Sequence, residues 1–114
     1  MTKFSNIKLN KSVYDILKMM LPEQGSIEIQ RDFPGKIHDW HIHHVDETLL
    51  IIEGELIFFY DEKRITCIQG DIIHLPANTK HKSIAADVGC IYAIATENLT
   101  IEDSVAEYSP ISSL

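Results

Sequence analysis

Asp39-Trp40-His41-Ile42-His43-His44-Val45-Asp46-Glu47 is the stretch on which the reading of this chain turns. Residues 36–43 have strand character, and side chains on a strand alternate between faces, so His41 and His43 share one face. Glu47 follows four residues after His43, far enough for the chain to turn a corner and return a carboxylate to the same place. Two neutral imidazoles and a carboxylate converging on one point make a site for a divalent metal ion. By the same alternation, Trp40 and Ile42 lie on the opposite face, to be covered by a second sheet layer, a helix or a partner subunit. Asp39 has the parity of His41 and His43 and is a candidate to hydrogen-bond a ligand imidazole or a substrate hydroxyl. His38 has the other parity and is expected to face away, and His44 is read as a surface or supporting residue.

On either side of this stretch the chain reads as short strands separated by turns. Residues 26–33 alternate apolar and polar side chains and stop at Pro34-Gly35. Residues 48–52 end at Glu53-Gly54, and 55–60 are turned by Asp61-Glu62-Lys63-Arg64. Residues 65–68 lead to Gly70 and 71–75 to Pro76, and segments 80–85 and 90–96 complete the set. Many short strands at this spacing predict an all-β sandwich or barrel. Ahead of them, Val13, Ile16, Leu17, Met20 and Leu21 form a helical stripe over residues 11–21. Asn10 is placed to cap its start, and Pro22 and Gly25 to close its end. The expected division is an N-terminal segment with one helix (1–25), a barrel (26–96) and a polar tail (97–114) that wraps the barrel or covers a dimer seam.

The 114 residues suffice for one domain with a proper core. A net charge of −7 argues against a nucleic-acid surface, which needs basic stripes, and equally against anionic membranes. No apolar run reaches the roughly 18 residues of a membrane span. Residues 1–6 lack the apolar run of a secretory signal, so the expected location is the cytoplasm. Cys67 and Cys90 form no Cys-x-x-Cys pattern and are read as free thiols on strands.

Two spaced motifs can be written out. The first is Gly35, five residues, His41, one residue, His43, three residues, Glu47, six residues, Gly54; the second is Gly70, five residues, Pro76, then Asn78, two residues, His81. Together they resemble the pair of motifs that defines the cupin superfamily, over residues 26–96. The resemblance implies a small jelly-roll β-barrel with a metal ion in its bore. Matched position by position, His41, His43 and Glu47 correspond to the ligands of the first motif and His81 to the histidine of the second. Three histidines and a carboxylate leave one or two positions open on Fe(II), Mn(II), Ni(II) or Co(II), or on Zn(II) if four-coordinate. Asn78 stands where the family usually has glycine, at a turn needing positive φ, which asparagine tolerates. Ala85 stands where the motif often ends in asparagine, a position that is not a ligand.

Leu49, Ile51, Ile73, Leu75 and Ile94 are expected to make an apolar pocket wall around the open metal. Tyr92 shares a strand face with Cys90 and, if that face is the bore, is a candidate proton donor. Phe58-Phe59-Tyr60 put aromatics on both faces of one strand, read as core plus subunit contact. With the N-terminal segment, that strand is the expected seam of a homodimer, because pairing protects exposed sheet edges. The function read from these features is a metal-dependent enzyme acting on a small organic molecule. It would be a dioxygenase, or an isomerase, epimerase or lyase of sugars or hydroxy acids, with Tyr92 and Asp39 as catalytic candidates. The alternative is a non-catalytic barrel that binds or senses a small molecule. Arg31, Lys36, Arg64, Lys80 and Lys82 all fall near strand ends or turns, so no clamp for an acidic substrate is evident in the bore.

Overall fold

Gly54, expected to end a strand, lies inside one instead, and so does Gly89. The computed structural model describes residues 2–7, 12–97, 99 and 105–108. Its elements are β1 (Lys3–Ile7), α1 (Val13–Met20), β2 (Glu28–Asp32), β3 (Ile37–His41), β4 (Glu47–Tyr60), β5 (Lys63–Ile68), β6 (Asp71–Leu75), β7 (His81–Ala95) and β8 (Val105–Tyr108). β4 absorbs the two segments expected on either side of Gly54, and β7 those on either side of Gly89. Both glycines have positive φ, 82° and 75°. They meet where the two long strands cross: a Cβ on Gly54 would sit 2.1 Å from the carbonyl oxygen of Gly89. The β4–β7 register slips on both sides of this point. A bend with an unpaired residue, needing glycine for its conformation, therefore replaces two turns.

The bend makes each long strand serve two layers. All pairings are antiparallel, in the order β2-β7-β4-β6-β1-β8, with β3 on β7 and β5 on β4. The first half of β4 pairs with β6 and the last residues of β7, and its second half with β5 and the first residues of β7. Residues 3–7 read from sequence as part of a helix-bearing segment, yet β1 is an inner strand between β6 and β8. From the described tail, Val105–Tyr108 joins the sheet, and Thr48 Oγ1 bonds both the Glu97 carbonyl (2.8 Å) and the Leu99 amide (3.1 Å).

The barrel is filled by Phe4, Leu56, Phe58, Tyr60, Ile65 and Ile73 among others. On the outside, α1 buries Ile16 and Met20 against Leu50, Ile72, Ala93 and Ala95. This second cluster explains why Thr48-Leu49-Leu50-Ile51 does not alternate: that half of β4 is covered on both faces. The apolar stripe of α1 was legible, but its cap was not. Asn10 lies outside the described residues, and the N-cap is Ser12. Its Oγ accepts from the Asp15 amide, while its own amide donates to the Asp15 carboxylate.

Candidate metal centre

Three imidazoles meet in the bore. His41 ends β3, His43 lies in the loop that follows, and His81 opens β7 directly across from His41. Ring centroids are 4.8 Å apart for His41 and His43, 4.2 Å for His41 and His81, and 5.3 Å for His43 and His81. One nitrogen from each ring lies within 4.8 Å of the other two. Phe58, 1% exposed, stacks on the His81 ring at 5.6 Å and 16° and fixes its plane.

The remaining nitrogens set the tautomers. Nδ1 of His41 contacts the Asp39 carbonyl, Nδ1 of His81 the Thr79 carbonyl at 2.8 Å, and Nδ1 of His43 the Glu47 carboxylate at 2.7 Å. Carbonyl and carboxylate oxygens only accept, so all three Nδ1 atoms carry the proton and all three Nε2 lone pairs are left for a metal. Burial lowers the pKa of His81, and neighbouring His41 and His43 lower it further, against opposition from the Thr79 carbonyl and Glu47. The group is thus held neutral, the form that ligates. The loops carrying these residues are pinned together. The Asn78 amide donates to the His43 carbonyl (2.7 Å), the Ala77 amide to Asp46 (2.8 Å), and His44 bonds the Asn78 side chain (2.9 Å). Asn78 takes φ of 63°, the conformation expected of it.

Glu47 stands beside the triad rather than within it. It is buried and lines the same cavity, but its Oε1 is engaged by His43. The donor set, three imidazoles with a carboxylate adjoining, fits a divalent first-row metal.

β3 breaks the simple alternation. His38 pairs with Ser83 and His41 with His81, so Asp39 and Trp40 together stand against Lys82 alone. This bulge lets His38 and His41, three residues apart, both face the cavity. The outward placement expected of His38 is thereby overturned, and Asp39 does not take the inward role for which it was a candidate. Asp39 is exposed, its carboxylate accepts from the Trp40 amide at 2.8 Å, and only its carbonyl serves the site. Trp40 does lie outside, against Phe59 at 6.5 Å. Phe58 and Tyr60 are buried in the core, so Phe59 alone of that aromatic run is available to a subunit seam.

Tyr92 lines the cavity and donates its hydroxyl to Asp32 at 2.9 Å. Burial, then the Asp32 carboxylate, push its pKa up, so it keeps its proton and is committed to Asp32. Asp32 is 2% exposed and also accepts from Gln30 Nε2 (2.9 Å) and contacts His38 Nε2, 3.0 Å from each carboxylate oxygen. Burial raises its pKa, but hydrogen bonds from His38, Gln30 and Tyr92 outweigh this and the net direction is down. Sequence reading missed Asp32 and Gln30. The signal lay in the phase of β2: Glu28, Gln30 and Asp32 share one parity and turn inward, leaving Ile29 outside at 54% exposure.

The cavity holds about 250 Å³. Glu28, Gln30, His38, Ser83 and Tyr92 form its polar wall, and Leu49, Leu56, Phe58 and Ile94 its apolar one, with no lysine or arginine among the described residues that line it. Ile51, Ile73 and Leu75, expected at the wall, are packed in the core behind it. Both cysteines are buried; burial raises the Cys67 pKa and pushes that of Cys90 up to about 12, so neither offers a thiolate.

A family model described as the cupin domain matches residues 29–89, more than half of the chain. The chain belongs to the cupin family. Among solved structures this cupin is similar to a protein of unknown function from Rhizobium leguminosarum bv. viciae. The two are 24% identical, with a TM-score of 0.58 over 62% of this chain and 67% of the other. A cupin-2 domain protein from Shewanella frigidimarina is 19% identical, with a TM-score of 0.54 over 74% and 92% of the two chains. A conserved protein with a double-stranded β-helix domain from Klebsiella pneumoniae is 19% identical, with a TM-score of 0.52 over 81% and 92%. At these identities the likeness is one of fold. No curated protein matches the cupin significantly. No helix among the described residues is long and apolar enough to cross a membrane.

Proposed function

We propose that this cupin is a metal-dependent enzyme acting on a small organic molecule. The observation that carries the reading is the cluster of His41, His43 and His81, one ring nitrogen of each within 4.8 Å of the other two, with each Nδ1 facing an oxygen acceptor that leaves the lone pair to Nε2. Glu47 is the fourth ligand candidate, through the oxygen not bonded to His43. Bound there, Fe(II), Mn(II), Ni(II), Co(II) or Zn(II) would supply Lewis acidity, and a redox-active one oxygen chemistry. The protein's own part is to orient the rings, favour the neutral form of His81 by burial and present a cavity of substrate size beside them. The substrate is a small molecule rather than a nucleic acid or a membrane, in keeping with the net charge of −7. We place the protein in the cytoplasm and pair it as a homodimer through the outer face bearing Trp40 and Phe59. A monodisperse monomer in sedimentation equilibrium would count against the pairing.

Elemental analysis of protein purified without chelator or affinity metal tests the central claim. About one equivalent of a divalent metal per chain is expected, and it should be lost when His41 and His81 are both replaced by alanine. Absence of metal from the wild type, even after anaerobic reconstitution with Fe(II), would overturn the reading.

A further inference from the structure

We propose that His38, held by Asp32, is the proton-carrying group of this cavity, and that its substrate is a small uncharged hydroxycarbonyl compound. The inference rests on the metal-dependent reading above and narrows it to proton-transfer chemistry. The buried, ionised Asp32 can only accept, so the contact at 3.0 Å is made with His38 Nε2 as donor. With Nε2 as donor, the ring's remaining lone pair belongs to Nδ1, which has no hydrogen-bond partner among the described residues. His38 lines the cavity with a third of its side chain exposed. His41, His43 and His81 are protonated on Nδ1, and His38 on Nε2. The same wall thus carries three imidazoles arranged to ligate and one arranged as a base. The bulge at Asp39 and Trp40 is what turns His38 inward. A carboxylate orienting an imidazole is the arrangement of a general base, and Asp32 is here the positioning residue, itself braced by Tyr92 and Gln30.

Charge selects the substrate. Glu28 and Glu47 bring carboxylates to the lining and, among the described residues, no lysine or arginine stands there, so a substrate carboxylate or phosphate finds no such counter-charge at this wall. Gln30, Ser83 and Glu28 offer partners to hydroxyl groups. In the step, Nδ1 of His38 takes the proton from the carbon that bears the hydroxyl beside the carbonyl. The C–H electron pair becomes the carbon–carbon double bond of an enediol, and the carbonyl π pair moves to its oxygen. Return of the proton to the neighbouring carbon, with the hydroxyl proton passing to the former carbonyl oxygen, completes an isomerisation without any oxidant.

Dihydroxyacetone in D₂O is the probe, with protein loaded with Mn(II), its metal content measured, and carbon-bound protons followed by NMR. Wild-type protein should exchange them faster than Mn(II) in buffer. His38→Gln should lower the rate by about 100-fold at unchanged metal content. Separately, ¹⁵N NMR of the diamagnetic Zn(II) or metal-free protein should show His38 as the Nε2–H tautomer in the wild type and as a mixture in Asp32→Asn. Metal-bearing wild type that exchanges no faster than buffer, exchange unchanged in His38→Gln, or a wild-type Nδ1–H tautomer would each overturn the proposal. Failure to take up metal would overturn the metal-dependent reading and this one with it.

Discussion

Replacing Gly54 by alanine should cost far more stability than replacing Gly35, although the two have nearly the same backbone angle, φ of 82° and 81°. The shared part is conformational. An L-residue with a Cβ in the left-handed region is disfavoured by roughly 1–2 kcal/mol. The two differ in what the new methyl meets: nothing within 4 Å at Gly35, and at Gly54 the Gly89 carbonyl oxygen at 2.1 Å and its carbon at 2.9 Å. Those are backbone atoms, so no rotamer change relieves the clash; β4 and β7 must part where they cross. Losing two or three ladder hydrogen bonds there, at about 1 kcal/mol each, brings Gly54→Ala to about 4 kcal/mol, against about 1.5 kcal/mol for Gly35→Ala. Against a typical stability of roughly 5–15 kcal/mol for a domain, the first is a large fraction. Urea unfolding at neutral pH, both variants beside the wild type, measures the difference. Costs equal within about 0.5 kcal/mol would refute the idea that the long strands are closely apposed at this point.

Asp32→Asn should cost about 2 kcal/mol at neutral pH by weakening the bonds from Tyr92 and His38. Folding lowers the Asp32 pKa, so its stabilisation is full above the unfolded value of 3.8 and fades as pH falls through the folded one. The gap between variant and wild type in denaturant titrations should therefore close below that value, and a gap independent of pH would contradict the account. Ser12→Ala should lose about 1 kcal/mol with the helix cap, read from the shift in unfolding midpoint. Phe58→Ala should lose roughly 3–5 kcal/mol and also weaken metal uptake, because the ring both fills the core and flattens His81 against itself. Saturating Co(II), at about 100 times its Kd, should stabilise the wild type by about 2.7 kcal/mol, and thermal melts of His43→Ala should show no comparable rise.

The histidine triad was legible because His41, His43 and His81 sit at motif spacings whose geometry is local to one strand end and one turn. Asn78 likewise declared its positive φ through residue type alone. The parities of His38 and Asp39 were not legible, because the bulge that decides them depends on pairing with Lys82, forty residues away. Gly54 was read as a strand end because a glycine with positive φ is required by a turn and by a bend alike, and sequence does not separate the two. In β2 the alternation was legible but not which phase faces in: a strand that borders a polar cavity turns its polar phase, Glu28, Gln30 and Asp32, inward. β1 carried too few apolar residues to announce itself, and its partners lie about seventy and a hundred residues downstream.

The position of β7 has a consequence for how the chain acquires its shape. β2, β3 and the full length of β4 all pair with it, so during synthesis the first eighty residues hold those strands with open edges. Hairpin contacts between β4 and β5 and between β4 and β6 are available early; the sheet around the histidines is not. Contacts of such long sequence separation place the cupin among slow-folding topologies, on the millisecond-to-second scale. Until residue 95 has emerged, the nascent chain exposes β-edges and core side chains together, the combination that invites aggregation. Slowed translation near residue 80 should therefore lower soluble yield without altering the native state.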